Sequence, residues 1–349
     1  MGLPQIIINF RTAGSSAVRR SARGQAVLLA EGEKAELYSF SEAEQAESAG
    51  LAEGCRRLLR LCFLGGPAKV LLYRYPKGEE TAALARCAPA AEGGWLCAPQ
   101  MDAQTVTAFV KSKRAEGRPL RAVVSSETGP DCAGIVNLTT QGITVLLEGK
   151  TESVDTADYC ARIAGILAGL SLRESATYYP LPEVTGFVSS QDEEADIAAG
   201  RLILDQGSEG ARIARAVTSL TTLSQPGDSA FQKIKIAEGV DLIRADIRSV
   251  FESEYVGKVL NDYDSKLLLV TAINSYFAGL EGSVLDTGRR NTAAVDFAAQ
   301  KRWLEGRGVD TAALSDTAIL SANTGSQVFL RANLRFADAM EDLTFEISM

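Results

Sequence analysis

The chain contains no histidine. Imidazole is the usual general base near neutral pH and the commonest metal ligand. Its absence excludes Ser-His-Asp and Cys-His machinery within the chain, and any zinc site built with histidine. The six cysteines, at 55, 62, 87, 97, 132 and 160, include no CxxC pair, which argues against a zinc ribbon. All lie among apolar neighbours such as Leu61 and Phe63, and they read as small buried hydrophobes in a reduced compartment. No stretch approaches the ~20 apolar residues needed to span a bilayer. The N-terminus is basic (Arg11, Arg19, Arg20, Arg23) but lacks the apolar core of a signal peptide. The expectation is a protein made and kept in the cytoplasm until assembly, with no membrane insertion. A surplus of acids gives a net charge of -8, which disfavours nucleic acid as a partner because phosphate contact needs a basic surface.

Phosphate loops are also missing. Gly149-Lys150-Thr151 matches only the end of such a loop; the glycine required five residues earlier is Thr144. Gly65-Gly66 follows a helical stretch, whereas phosphate donors belong at a helix start; a helix stop is the better account. The acidic runs Asp192-Glu193-Glu194 and Asp262-x-Asp264 do not fit a calcium loop and read as helix N-termini or solvated loops. No cofactor, metal site or catalytic residue is expected.

What is present is a globular composition over 349 residues, 46% hydrophobic and 23% charged, enough for two or three domains. Gln25–Ala30 and Ala68–Tyr75 read as strands, and Ser41-x-x-Glu44 has the pattern of a capping box. Residues 103–116 read as a helix, and Leu120–Ser125 and Ile143–Leu147 as strands after it; strand, helix, strand in that order suggests an α/β unit around residues 70–150. Ala157–Leu170 is helical, Trp95–Pro99 irregular, and residues 175–190 a connection. Residues 196–205 and 210–217 suggest a hairpin. Apolar stripes predict helices at Val240–Phe251 and Asp264–Leu280, with another over 293–305. Gln327–Phe336 alternates as a strand should. The organisation expected is an α+β, multidomain chain. It has an arm and linker at 1–24, α/β domains at 25–98 and 99–190, a C-terminal core at 191–336, and a second arm at 337–349.

The two ends are unusual. Ile6, Ile7, Ile8 and Asn9 form a β-branched strand ahead of a loose basic linker, Arg11 to Gly24. Leu343, Thr344, Phe345, Glu346 and Ile347 form a short strand in a tail carrying Asp338, Glu341, Asp342 and Glu346 but no base. An apolar strand on a flexible tether needs a sheet edge elsewhere. Opposite charges on the two ends favour head-to-tail association between copies. A basic cluster around Trp303 (Lys301, Arg302, Arg307) suggests a docking surface for an acidic protein.

Several stretches resemble the contractile tail sheath family, in the type found in myophages of Gram-positive bacteria, defective prophages and phage-tail-like bacteriocins. They are MGLPQIIINF with SAVRRSARG, FLGGPAKVLLYRY, DCAGIVNLTT, ARIAGILAG, ESATYYPLPEV, VTSLTTLS, FQKIKIAEGVDLIRADIRSVFESEYVGKVLND and FADAMEDLTFEISM. They span nearly the whole chain, in order. The resemblance implies a structural subunit that stacks in six-fold rings around a tail tube and has further partners in baseplate and tail terminator proteins. It implies a core with a small β-sheet, completed by an N-terminal arm (Ile6–Asn9) and a C-terminal arm (Leu343–Ile347) from neighbouring copies. Gln327–Phe336 would be a resident strand, and Lys301, Arg302 and Arg307 would dock on the tube. Two other readings compete with it. One is a cytosolic α/β enzyme using carboxylates or a cysteine; the other is a monomeric binding module built on the Trp303 cluster.

Overall fold

The computed structural model describes residues 24–225 and 227–347. Two compact units emerge, residues 24–245 with 338–347, and residues 246–337.

In the first unit the elements run β1 (Gln25–Glu31), β2 (Glu36–Phe40), α1 (Glu44–Ser48), α2 (Glu53–Phe63), β3 (Lys69–Tyr75), α3 (Glu80–Ala91), β4 (Trp95–Cys97), α4 (Ala103–Ala115), β5 (Ala122–Val124) and β6 (Ile135–Leu138). They continue with β7 (Ile143–Leu147), β8 (Lys150–Val154), α5 (Thr156–Gly169), β9 (Val184–Gly186), α6 (Glu193–Ala198), β10 (Arg201–Leu202), β11 (Leu204–Gly207), β12 (Gly210–Ile213) and the start of α7 (Ile234–Val250). One sheet of seven strands, β10-β6-β5-β4-β1-β3-β2, is parallel throughout except for β2 on its edge. Parallel sheets are covered on both faces, so their strands read as continuous apolar runs. In β1, Ala26, Leu28 and Ala30 face α2 and α5, while Val27 and Leu29 face α3 and α4. Helices α2 and α5 meet backbone to backbone, because a Cβ on Gly165 would collide with the Cys62 carbonyl. That close approach accounts for the glycine in ARIAGILAG.

Two corrections to the expected domains follow. Residues 25–98 and 99–190 are not separate domains: β4 pairs with β1 on one side and β5 on the other, so one sheet spans both. Nor is 191–336 a single core, since β10 extends the same sheet through β6. The start of α7 is tied to this unit by charge. Glu238 accepts from Trp95 Nε1 at 3.0 Å and Arg121 at 2.6 Å, and Asp241 from Arg114 at 2.6 and 3.0 Å.

The remaining sequence readings divide in instructive ways. All six cysteines are free and buried. Glu148-Gly149 is the turn of the β7–β8 hairpin, both residues at positive φ, and Lys150 opens β8 opposite Leu147. Asp192 and Asp262 are helix caps, accepting from Ala195 and Ser265. Ser41 does not cap α1; its own N–H donates to the Gln45 side chain. The hairpin expected over 196–217 is confined to β11 and β12, with α6 ahead of it. Trp95–Pro99, read as irregular, contains the central strand β4, three residues too short to show a period.

The second unit holds the end of α7, a π-helical turn at Phe251–Tyr255, α8 (Tyr263–Leu280), β13 (Thr292–Val295), α9 (Phe297–Glu305), α10 (Asp316–Ser321) and β14 (Leu330–Asn333). Helix α8 buries Leu269, Ile273, Tyr276, Phe277 and Leu280. Buried Gln300 on α9 donates to the Ile319 and Leu320 carbonyls and so pins α10. The strand expected over Gln327–Phe336 is limited to β14.

Candidate functional site

Among the described residues the second unit's sheet has two strands, β13 and β14, antiparallel with Thr292 opposite Asn333 and Val295 opposite Leu330. A lone two-stranded sheet is marginal in water and offers unpaired edges. Its two edges differ. Asn274 on α8 donates Nδ2 to the Ala293 carbonyl at 3.2 Å and accepts the Ala293 N–H on Oδ1 at 2.6 Å. The amide thus occupies both main-chain groups that Ala293 turns away from β14, as a third strand would.

That placement sets the phase of the ladder. Ala293 and Ala332 form a pair without hydrogen bonds between them, since in an antiparallel ladder such pairs alternate with bonded ones. The Asp296 N–H donating to the Phe329 carbonyl at 2.9 Å agrees with this phase. The N–H and C=O of Ala332 therefore point outward, and so do those of Leu330. Arg331, Ala332 and Asn333 are exposed. Among the described residues the β14 edge is open, while the β13 edge is closed at Ala293.

The surroundings of the open edge are basic. Arg331 lies on it, and Arg289, Arg290 and Arg335 line a shallow depression with Asn333 and Leu334. Asp286 pairs with Arg335 at 3.0 Å.

Leu343, Phe345 and Ile347 of the C-terminal tail are 89%, 76% and 75% exposed, and among the described residues Leu343–Ile347 belongs to no strand. Ile6, Ile7, Ile8 and Asn9 lie outside the described residues. Of the basic cluster, Lys301 and Arg302 are on α9 and Arg307 follows it. Arg307 stacks 4.0 Å from the Trp303 ring centre, Lys301 sits 3.9 Å from Glu305, and Arg302 is exposed.

For cysteine chemistry the setting is poor. Burial pushes Cys62 up to about 12 and Cys87 up to about 11, so the reactive thiolate is not formed at neutral pH.

Comparison with known proteins adds to this geometry. Residues 227–349 match the family described as the phage tail sheath C-terminal domain. The whole chain is 29% identical to the tail sheath protein of Clostridium phage phiCD119, covering 100% of this chain and 99% of that one. Its fold is that of sheath proteins. It superposes on the helical sheath of the anti-feeding prophage in the contracted state with a TM-score of 0.66 at 14% identity, covering 100% of this chain and 99% of the other. The Listeria innocua sheath tail protein gives 0.64 at 15% identity, over 95% and 99%.

Within this sheath fold, Asn274 is the functional residue that sequence reading missed. A signal existed, because asparagine disfavours helix interiors yet sits amid the apolar stripe of α8. Replacing Asn274 with alanine leaves the buried Ala293 main chain without its partner, at a cost of about 1–3 kcal/mol. A urea titration of the full chain reads this as a lowered midpoint; an unchanged midpoint means the edge is not held by the amide.

Proposed function

We propose that the chain is the structural subunit of a contractile tail sheath, polymerising around a tail tube by strand exchange and contracting to drive that tube through a cell envelope. One observation carries the reading. Among the described residues, a sheet with an open β14 edge and an exposed apolar tail paired with no strand occur on one chain whose relative over the full length is a tail sheath protein. Strand addition joins them through main-chain hydrogen bonds worth about 0.5–1.5 kcal/mol each.

Charge favours the C-terminal arm as the strand beside β14. The arm brings Glu346, and the edge supplies Arg331 with Arg289, Arg290 and Arg335. The N-terminal strand, Ile6 to Asn9, is the second donated element, and the linker from Arg11 is the tether that lets rigid bodies shift during contraction. Lys301, Arg302 and Arg307 are the tube-facing charges, with an acidic patch on the tube as their partner. The likeness to a chain of the anti-feeding prophage baseplate, TM-score 0.65, supports an end contact with a baseplate; a tail terminator would close the other end. Assembly would take place in the host cytoplasm, and the product is part of a virion or phage-tail-like particle.

Negative-stain microscopy of the purified chain at high concentration tests the function. Tubes or stacked rings are expected. A chain that stays monomeric even with its tube protein present contradicts the reading.

A further inference from the structure

Three stretches with no role so far meet at one carboxylate. Ser175 and Thr177 come from ESATYYPLPEV, Lys233 from FQKIKIAEGV, and Glu341 from the closing FADAMEDLTFEISM. Glu341 Oε1 accepts from the Ser175 hydroxyl at 2.8 Å and the Thr177 hydroxyl at 2.7 Å. Its Oε2 faces Lys233 Nζ at 3.3 Å and Arg215 at 3.4 Å, and the side chain is only 7% exposed. The flanking acids share the same cations: Asp338 pairs with Lys233 at 2.5 Å and Asp342 with Arg215 at 2.6 Å.

This is a built site and not a loose surface pairing. Burial alone would raise the Glu341 pKa, yet the Thr177 and Ser175 hydroxyls and Lys233 outweigh it and hold the carboxyl below its ordinary value. The receptor is itself ordered. Thr177 Oγ1 also accepts the Ala216 N–H at 3.0 Å, and the Tyr178 N–H donates to the Ile213 carbonyl at 2.8 Å. The next residues change character at once, since Leu343 is 89% exposed.

We propose that Ser175, Thr177, Arg215 and Lys233 form a clasp for the tail segment Asp338–Asp342. The clasp fixes that segment on the donor subunit and leaves only the residues from Leu343 onward free to be given away. Its purpose rests on the strand-exchange reading; its existence does not. With the clasp closed, Leu343–Ile347 reaches about 17 Å from its anchor at ~3.4 Å per residue. With the clasp open, the ten residues from 338 to 347 would reach about 34 Å. The clasp halves the reach, so cuts the volume of search about eightfold, and sets which residue starts the donated strand. It also passes tension on a donated strand to four side chains of the donor.

Spin labels at Met340→Cys and Phe345→Cys test this on the full chain. The unsubstituted chain, whose six thiols are buried, gives the background. Below the assembly concentration the label at 340 should be restricted and that at 345 mobile. Glu341→Ala should abolish the restricted component at 340 without shifting the melting of the rest of the chain, and Lys233→Ala should do the same in part. A label at 340 as mobile as that at 345 in the otherwise unsubstituted chain overturns the clasp. A restricted component that survives Glu341→Ala overturns it too. In polymers the label at 345 should become restricted. If it stays mobile there while 340 is restricted, strand donation fails and the clasp stands.

Discussion

Proline at Ala332 should abolish polymerisation and leave the subunit folded. The Ala332 N–H points away from β13, so its loss breaks no bond within the ladder. Proline is tolerated on an edge strand when the missing donor faces solvent. The same substitution removes a donor that an added strand would use and puts the pyrrolidine ring in its path. Proline at Arg331 makes the contrast, since that residue lies in the bonded phase and the change would damage the ladder itself. Removing residues 343–347 attacks the same contact from the donor side. Each main-chain bond contributes about 1 kcal/mol, so losing a strand of several bonds raises the critical concentration a hundredfold or more. Sedimentation of the two variants, with circular dichroism for the fold, reads both effects. Normal tubes from Ala332→Pro would mean that the added strand lies elsewhere.

The two halves of that contact were unequally visible in the sequence. The tail was legible because an apolar strand among acids has no local partner, and the structure leaves Leu343, Phe345 and Ile347 in solvent. The acceptor was legible only as a strand; which edge is open depends on Asn274, fifty-six residues before Leu330 along the chain and brought near by folding. Helix α7 shows a second limit. Its apolar stripe was readable from Val240, but the helix starts at Ile234. Glu238 and Asp241 turn toward Arg121 and Arg114 in the opening turns, so acids occupy positions where periodicity expects apolar residues. The division into domains failed for a related reason. β4 is three residues long, and β10 two, and such short strands carry no period although they decide how far a sheet extends.

Glu183→Ala should be the most destabilising single change in the first unit. Glu183 accepts from Arg162 Nε at 2.6 Å and from the Tyr159 hydroxyl at 2.7 Å, and the Arg162 and Glu183 side chains are 3% and 6% exposed. Arg162 lies on α5, the helix packed across β1, β4 and β5, and cannot turn to water. Removing the acid leaves a buried guanidinium without its counter-charge, which costs about 3–5 kcal/mol. Arg162→Met together with Glu183→Leu replaces the pair by apolar volume and should recover most of that loss, because buried ion pairs add little over well-packed hydrophobes. Acid acts in the same direction. Burial would raise the Glu183 pKa, but Arg162 and Tyr159 hold it below the ordinary carboxylate value. A depressed pKa stabilises the fold above the unfolded-state value and loses that contribution as pH falls through the folded-state value. The unsubstituted chain should therefore lose more stability between pH 5 and strong acid than the double variant does. Urea midpoints measured across that range decide the matter, and equal slopes for the two chains would show that Glu183 is not the group whose protonation weakens the fold.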